Sequence, residues 1–279
     1  MSRLLSFLIL ALMAILVGCR GQKSDAPSPA AADTLSLPAV PDTVADTATV
    51  NEPAPPPAAD GVFDDFVFNF IRNRKFQRQR VRFPLPVTSG GERRMMQASE
   101  WRHDRVFPHE DIYGLLFDSP RAMKKKAYIK KDSVVISVLN AQDVNVKHYI
   151  FNKSNGAWML TALDTKSVRE EEGADFMSFL TKFSSDASFR RSHVASSFDL
   201  IVCDPDTYES MQGVANASQW DDYAPELPTD KLALITYGGL SRGGNERILQ
   251  LTSLDGAMSS LITFRKQGGR WVAVKLENN

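Results

Sequence analysis

Most of the candidate catalytic side chains of this chain lie in one segment, WRHDRVFPHEDIY, which spans Trp101–Tyr113. It holds two of the four histidines, His103 and His109, and places Asp104 directly after the first of them. A histidine beside a carboxylate can move a proton to and from a substrate as general acid and base. Pro108 is typical of a surface loop. We expect a solvated loop here and keep His103, Asp104 and His109 as the alternative catalytic set.

The sequence lacks the common motifs for nucleophilic catalysis, metal binding and phosphate binding. It has no HExxH, paired CxxC or GxSxG pattern, and its glycine-rich YGGLSRGGN lacks the Lys and Ser/Thr of a phosphate loop. Apart from Cys19, the sole cysteine is Cys203, which lies in the apolar run FDLIVCD and is expected to pack in the core. We therefore predict no metal and no cofactor, and we lean against an enzyme.

The first residues are typical of a secretory signal, because Arg3 precedes an apolar run that is too short for an ordinary membrane span. The run ends in LVGC, Leu16–Cys19, which resembles the lipobox of bacterial lipoproteins. That resemblance implies a signal peptide over residues 1–18 and a diacylated, palmitate-bearing Cys19 as the membrane anchor. Arg20, which stands where an inner-membrane retention signal has Asp, favours the outer membrane.

Residues 19–60 are predicted to be a disordered tether. From Arg20 to Asp60 the chain holds 8 of its 15 prolines, many alanines and no aromatic residue. Such a composition cannot bury enough apolar surface to offset the entropy of ordering the chain. A secretory signal also takes the protein away from nucleic acid, which we exclude as a partner.

A repeat divides the remainder of the chain. FNKSNGAW (Phe151–Trp158) recurs as FRKQGGRW (Phe264–Trp271) at an offset of 113, and ASEW (Ala98–Trp101) recurs as ASQW (Ala217–Trp220). The offset of 113 also relates two runs with helical spacing of aromatic residues: Phe63, Phe66 and Phe70; Phe176, Phe179 and Phe183. The order of these matches predicts two duplicated units, at residues 61–165 and 166–279.

Each unit begins with helices and continues in strand-like segments that end in a hairpin with turn residues at Asn155-Gly156 or Gly268-Gly269. This order resembles the nuclear transport factor 2-like (NTF2-like) fold. Together with the lipobox and the tether, it also resembles a family of uncharacterised bacterial envelope lipoproteins. The resemblance implies an α+β fold of two tandem cone-shaped units, each with N-terminal helices packed on a curved antiparallel sheet.

Two features could serve a ligand. Trp101 and Trp220 are matched tryptophans that either pack in the core, which we expect, or offer a stacking surface for a sugar or apolar ligand. Charge also differs between the units: residues 61–165 hold 18 Lys and Arg against 11 Asp and Glu, whereas residues 166–279 hold 12 against 16. A basic first unit could attract an anionic glycan, an anionic lipid surface or an acidic envelope protein.

These observations favour a lipid-anchored envelope lipoprotein that works as a non-enzymatic binding or assembly module. The alternative is an isomerase or lyase that uses the histidines and Asp104 in the pocket of the first unit, as enzymes with this cone-shaped fold do.

Overall fold

The computed structural model describes residues 60–109, 112–124, 131–204, 206–207, 209–237, 243–253 and 259–278. The predicted signal peptide, the lipidation site Cys19 and nearly all of the predicted tether lie outside the described residues. Within these ranges no helix is both long enough and apolar enough to cross a membrane.

The described residues form six α-helices: α1 (Phe63–Arg72), α2 (Arg74–Gln79), α3 (Pro120–Lys124), α4 (Ala174–Ser185), α5 (Ala187–Ser192) and α6 (Trp220–Tyr223). They also form twelve strands: β1 (Leu85–Ser89), β2 (Glu92–Met96), β3 (Tyr113–Phe117), β4 (Ser133–Asn140), β5 (Asn145–Ser154), β6 (Ala157–Ser167), β7 (Val194–Cys203), β8 (Ser210–Asn216), β9 (Lys231–Thr236), β10 (Glu246–Thr252), β11 (Ser259–Gln267) and β12 (Arg270–Asn278).

The helices form where the sequence predicts them. The apolar residues of α1 recur every three or four positions and are all buried: Phe63, Phe66, Val67, Phe70 and Ile71. Two short helices follow α1 and α4, and each starts at a side chain that accepts backbone N–H bonds, Asn73 for α2 and Asp186 for α5. The predicted aromatic helices are therefore confirmed.

The repeated motif is a hairpin in both places. β5 and β6 join through Asn155 and Gly156, and β11 and β12 through Gly268 and Gly269, with positive φ at all four residues. Positive φ at both central positions gives the turn a twist that matches the flanking strands. Phe151 of the first hairpin packs its ring 5.2 to 5.7 Å from three rings of α1: Phe63, Phe66 and Phe70. The Phe264 ring lies 5.1 to 5.5 Å from three rings of α4: Phe176, Phe179 and Phe183.

All twelve described strands join one sheet, in the order β2-β1-β6-β5-β4-β9-β3-β10-β11-β12-β7-β8. Most neighbours are antiparallel, while β1 with β6, β12 with β7, and β3 with β9 are parallel. At the centre, β9 pairs with β4 and β3 pairs with β10, so each of these strands leaves its sequence neighbours and joins the other half of the sheet.

The sheet separates two hydrophobic clusters. In β4, Val134, Ile136 and Val138 face the cluster around α1, whereas Leu139 belongs to the cluster around α4. Because neighbouring residues of a strand point to opposite faces, side chains on β4 and β5 can serve either side of the sheet. Each face carries one of the polar sites described below.

Candidate functional site

A cavity of about 380 Å³ opens beside the segment before β3, and Asp104 lines it. Opposite this segment the wall comes from the face of β4 and β5 that holds Val138, Lys147 and Tyr149, and Lys231 of β9 completes it. We call this cavity the Asp104 pocket. It lies within the first predicted unit, apart from Lys231.

The buried side chain of Gln77 holds the backbone of Asp104 in place. Gln77 Nε2 donates to the Asp104 carbonyl oxygen at 2.6 Å, and its Oε1 accepts from the Asp104 N–H at 2.9 Å. The same Nε2 also donates to the carbonyl oxygen of Phe70 at 3.0 Å, which ties this segment to the end of α1. Three bonds from one amide with no exposed surface fix the pocket wall to the helices.

The carboxylate of Asp104 accepts three hydrogen bonds. Its Oδ2 receives Lys147 Nζ at 2.9 Å and the Tyr149 hydroxyl at 2.8 Å, and its Oδ1 receives the Val106 N–H at 2.9 Å. Burial works to raise the pKa of Asp104, but the charge of Lys147 and these bonds hold it below its ordinary value. Burial, with the nearby Asp104 charge, raises the pKa of Tyr149. The pocket therefore keeps an ionised carboxylate and a neutral phenol.

The segment that follows Asp104 is irregular, as predicted, but it is not solvated throughout. Val106 and Phe107 are buried, and the Phe107 ring stacks on Tyr113 at 5.2 Å. Val106 has φ of 62°, a left-handed conformation that is unusual for a β-branched residue and costs about 1 to 3 kcal/mol. Such strain is maintained where the surroundings fix the backbone, and here it directs the Val106 N–H at the carboxylate.

Several polar groups of the pocket are open to a ligand. Lys231 Nζ, the Asn145 side-chain amide and the Thr165 hydroxyl make no hydrogen bond or ion pair within the part of the chain that the structure describes. Arg105, Lys147 and Lys231 bring three positive charges against the one negative charge of Asp104. The pocket can therefore attract an anionic group and offer it donors.

The structure does not bring His103 and His109 together with Asp104. Neither histidine lines the Asp104 pocket. His109 Nε2 instead contacts Asp230 Oδ1 at 2.6 Å, where both side chains are exposed, and the buried Nε2 of His103 has no hydrogen-bond partner among the described residues. Trp101 and Trp220 are 6% and 0% exposed, so their rings pack in the core.

A second polar cluster, on the other face of β4 and β5, did not stand out in the sequence. Ser137 Oγ lies 2.9 Å from His148 Nδ1, and His148 Nε2 lies 2.7 Å from Glu171 Oε1. Lys166 Nζ contacts the same Glu171 oxygen at 3.0 Å. A cavity of about 250 Å³ adjoins these residues. We call this arrangement the Ser137 cluster.

Burial works to raise the pKa of Glu171, but its hydrogen bonds with His148 and Lys166 and the charge of Lys166 hold it below its ordinary value. Strand register makes the cluster, since Ser137 is directly opposite His148 in the pairing of β4 with β5. One sequence signal was present: Ser137 and His148 are polar residues within strand-like segments, VVISVLN and NVKHYIF.

No group of three His, Cys, Asp or Glu side chains within the described ranges could hold a metal ion. Cys203, expected in the core, ends β7 at intermediate exposure as a free thiol.

A family model and a solved structure match this chain. The family model described as "Domain of unknown function (DUF4348)" matches residues 42–278. A crystal structure of an NTF2-like protein from Bacteroides fragilis NCTC 9343 is similar at 31% identity and a TM-score of 0.71, covering 81% of this chain and 99% of that one. No curated protein matches the chain significantly. The predicted NTF2-like combination of helices with a mostly antiparallel sheet is confirmed.

Proposed function

This chain belongs to the DUF4348 family, and we propose that it is a lipid-anchored cell-envelope lipoprotein that binds an anionic glycan in the Asp104 pocket. One observation carries the proposal: three cationic side chains line a cavity whose one carboxylate already accepts three hydrogen bonds, one of them from Lys147. The anchor would be Cys19 and the tether residues 19–60, with the outer membrane as the expected location.

The open groups indicate the ligand class. The ammonium of Lys231 suits a carboxylate or sulfate, while the Asn145 amide and the Thr165 hydroxyl suit sugar hydroxyls. A volume of about 380 Å³ accommodates one or two sugar residues and falls in the range of ordinary ligand pockets. An acidic sugar at a chain end or branch meets both requirements.

Binding is better supported than catalysis in this pocket. A general base needs a free lone pair and a pKa near the working pH. The carboxylate of Asp104 has three donors and a lowered pKa, and the two histidines that would assist it lie elsewhere. An isomerase or lyase based on His103, Asp104 and His109 is therefore the weaker alternative.

We also propose that residues 61–165 and 166–279 are duplicated cone-shaped units that exchange their third strands. Read from one edge, the sheet runs β2-β1-β6-β5-β4-β9; from the other edge it runs β8-β7-β12-β11-β10-β3. Each strand in the first order corresponds to the strand numbered six higher in the second order, for example β1 to β7. The last strands, β9 and β3, fit this rule only if they change places. The matching rings around Phe151 and Phe264 support the same duplication.

Binding can be measured by calorimetry on the mature chain with oligogalacturonate and with a neutral oligosaccharide of equal length. We expect the acidic ligand alone to bind. Lys231→Ala should weaken binding roughly tenfold to a hundredfold, since a hydrogen bond to a charged group contributes about 1.5 to 3 kcal/mol. Lys131→Ala, an exposed lysine outside the pocket, is the control and should change nothing. Equal binding of both ligands, or an unaffected Lys231→Ala, would contradict the proposal.

The anchor has its own test. Cys19→Ala should release the protein from the membrane fraction and abolish palmitate labelling, while residues 60–278 keep their fold. A variant that stays membrane-bound and labelled would remove the basis for the anchor without affecting the pocket.

A further inference from the structure

The Ser137 cluster is separate from the Asp104 pocket, because it occupies the opposite face of β4 and β5. Its members are well buried: Ser137 is 4% and His148 7% exposed. The Glu171 side chain is 11% exposed. Buried polar groups of this kind are held by one another, and here they form one continuous line from hydroxyl to carboxylate.

The direction of each hydrogen bond follows from the chemistry of the groups. Glu171 is ionised, because its pKa is lowered, so its oxygen can only accept and His148 Nε2 must carry a proton. A neutral imidazole then has a lone pair on Nδ1. In that form Nδ1 can accept the Ser137 hydroxyl proton across the 2.9 Å between the two atoms. This is the arrangement of a hydroxyl with a general base behind it and a carboxylate that orients the base.

His148 cannot act directly on a substrate, since both of its ring nitrogens are engaged. The activated group presented to the cavity is therefore the Ser137 oxygen. The wall beside it includes the apolar side chains of Val135, Ile150 and Met177. Lys166 and the carboxylates of Asp164 and Glu172 line the same cavity, and these carboxylates disfavour an acidic acyl group. We propose that Ser137 is the nucleophile of an acyl-transfer site that hydrolyses esters of short, uncharged acyl groups.

In this reaction the Ser137 oxygen forms a bond to the carbonyl carbon and its proton passes to His148 Nδ1. The resulting imidazolium is stabilised by Glu171, whose carboxylate Lys166 holds in place. The bond from carbon to the leaving alkoxide breaks as that oxygen takes the proton from Nδ1. Water then attacks the acyl-serine, gives its proton to Nδ1, and the carboxylic acid departs as Ser137 regains its proton.

The test uses the mature chain with two reagents, p-nitrophenyl acetate and a fluorophosphonate probe. A nucleophilic serine attacks the phosphorus of the probe, forming an O–P bond as the P–F bond breaks and fluoride leaves. We expect the modification to map to Ser137 by mass spectrometry. Ser137→Ala and His148→Gln should lower ester hydrolysis about a hundredfold or more, the usual scale for losing a nucleophile or its base.

The chain offers a matched control. Ser192 Oγ lies 3.0 Å from Nδ1 of His193, but no carboxylate is paired with that half-buried histidine among the described residues. Ser192→Ala should therefore leave labelling and hydrolysis unchanged. Circular dichroism and thermal unfolding of each variant separate lost chemistry from lost folding.

Glu171 is a positioning residue, and its role has a separate readout. Glu171→Gln should slow labelling and move the pH at half-maximal labelling downward, because an imidazolium without its carboxylate partner forms less readily. A folded wild-type chain that is not labelled at Ser137, or that hydrolyses the ester no faster than Ser137→Ala, would overturn the proposal. Loss of glycan binding would not bear on it.

Discussion

Asp175, in the first turn of α4, binds the Lys and the Trp of the repeated motif in the second hairpin. Its Oδ2 accepts Lys266 Nζ at 2.6 Å and Trp271 Nε1 at 3.1 Å. Lys266 is thus part of an ion pair with the first turn of α4. At the matching place in the first half stands Val62, and the buried Trp158 Nε1 has no partner among the described residues. Asp175→Ala and Val62→Asp therefore form a reciprocal pair of substitutions.

The expected size follows from the contacts. Asp175→Ala leaves the indole N–H of a buried tryptophan without an acceptor, at a cost of about 1 to 3 kcal/mol. The ion pair adds less than about 1 kcal/mol, because the Asp175 side chain is 52% exposed. We expect a loss of roughly 1.5 to 3 kcal/mol in the free energy of unfolding. Val62→Asp should gain about 1 kcal/mol by supplying the missing acceptor and a helix N-cap.

Urea unfolding at neutral and acidic pH provides the assay. Burial works to raise the pKa of Asp175, but bonds from Lys266 and Trp271 hold it below its ordinary value. A depressed carboxyl pKa contributes stability that is present above the unfolded value, about 4, and is lost as pH falls through the folded value. The effect of Asp175→Ala should therefore shrink between pH 5 and pH 2. An equal loss at pH 7 and pH 2, or a destabilising Val62→Asp, would refute this reasoning.

Three further predictions concern the sheet and the pocket. Phe151→Ala and Phe264→Ala should each lower the free energy of unfolding by about 3 to 5 kcal/mol. Both should shift the same unfolding transition, because β3 and β9 join the two halves of the sheet. Two transitions that move separately would contradict this prediction. Gln77→Leu should weaken glycan binding even at temperatures at which the variant is still folded, because it frees the backbone of Asp104. Titration calorimetry measures the affinity and scanning calorimetry measures the melting temperature. Asp104→Asn should lower the free energy of unfolding at pH 7 but change it little at pH 2. The pKa of Asp104 is lowered in the folded chain, so the stability that its carboxylate contributes is lost when it is protonated. An equal loss at both pH values in urea unfolding would contradict this prediction.

The predictions that the structure confirms rest on local sequence patterns. The aromatic stripes predicted α1 and α4, and the Asn-Gly and Gly-Gly pairs predicted the two hairpin turns, because each depends on residues a few positions apart. The pairing of β4 with β9 and of β3 with β10 could not be predicted, because the paired residues lie between 91 and 139 positions apart in the chain.

The two sites also depend on contacts between residues that are distant in the sequence. Asp104 was a candidate from its neighbours His103 and His109, but its real partners are Lys147 and Tyr149, which lie more than 40 residues further along the chain. The Ser137 cluster depends on strand register, and a shift of one residue would place Ser137 and His148 on opposite faces. Single-sequence patterns contain no information of that kind.

The central claim is that the Asp104 pocket binds an acidic sugar. Amide chemical shifts of the ¹⁵N-labelled mature chain, titrated with oligogalacturonate, test it most directly. The account predicts saturable shifts confined to residues 104–107, Asn145, Lys147 and Lys231, and their absence in Lys231→Ala. Shifts centred elsewhere on the chain, or none at millimolar ligand, would contradict it.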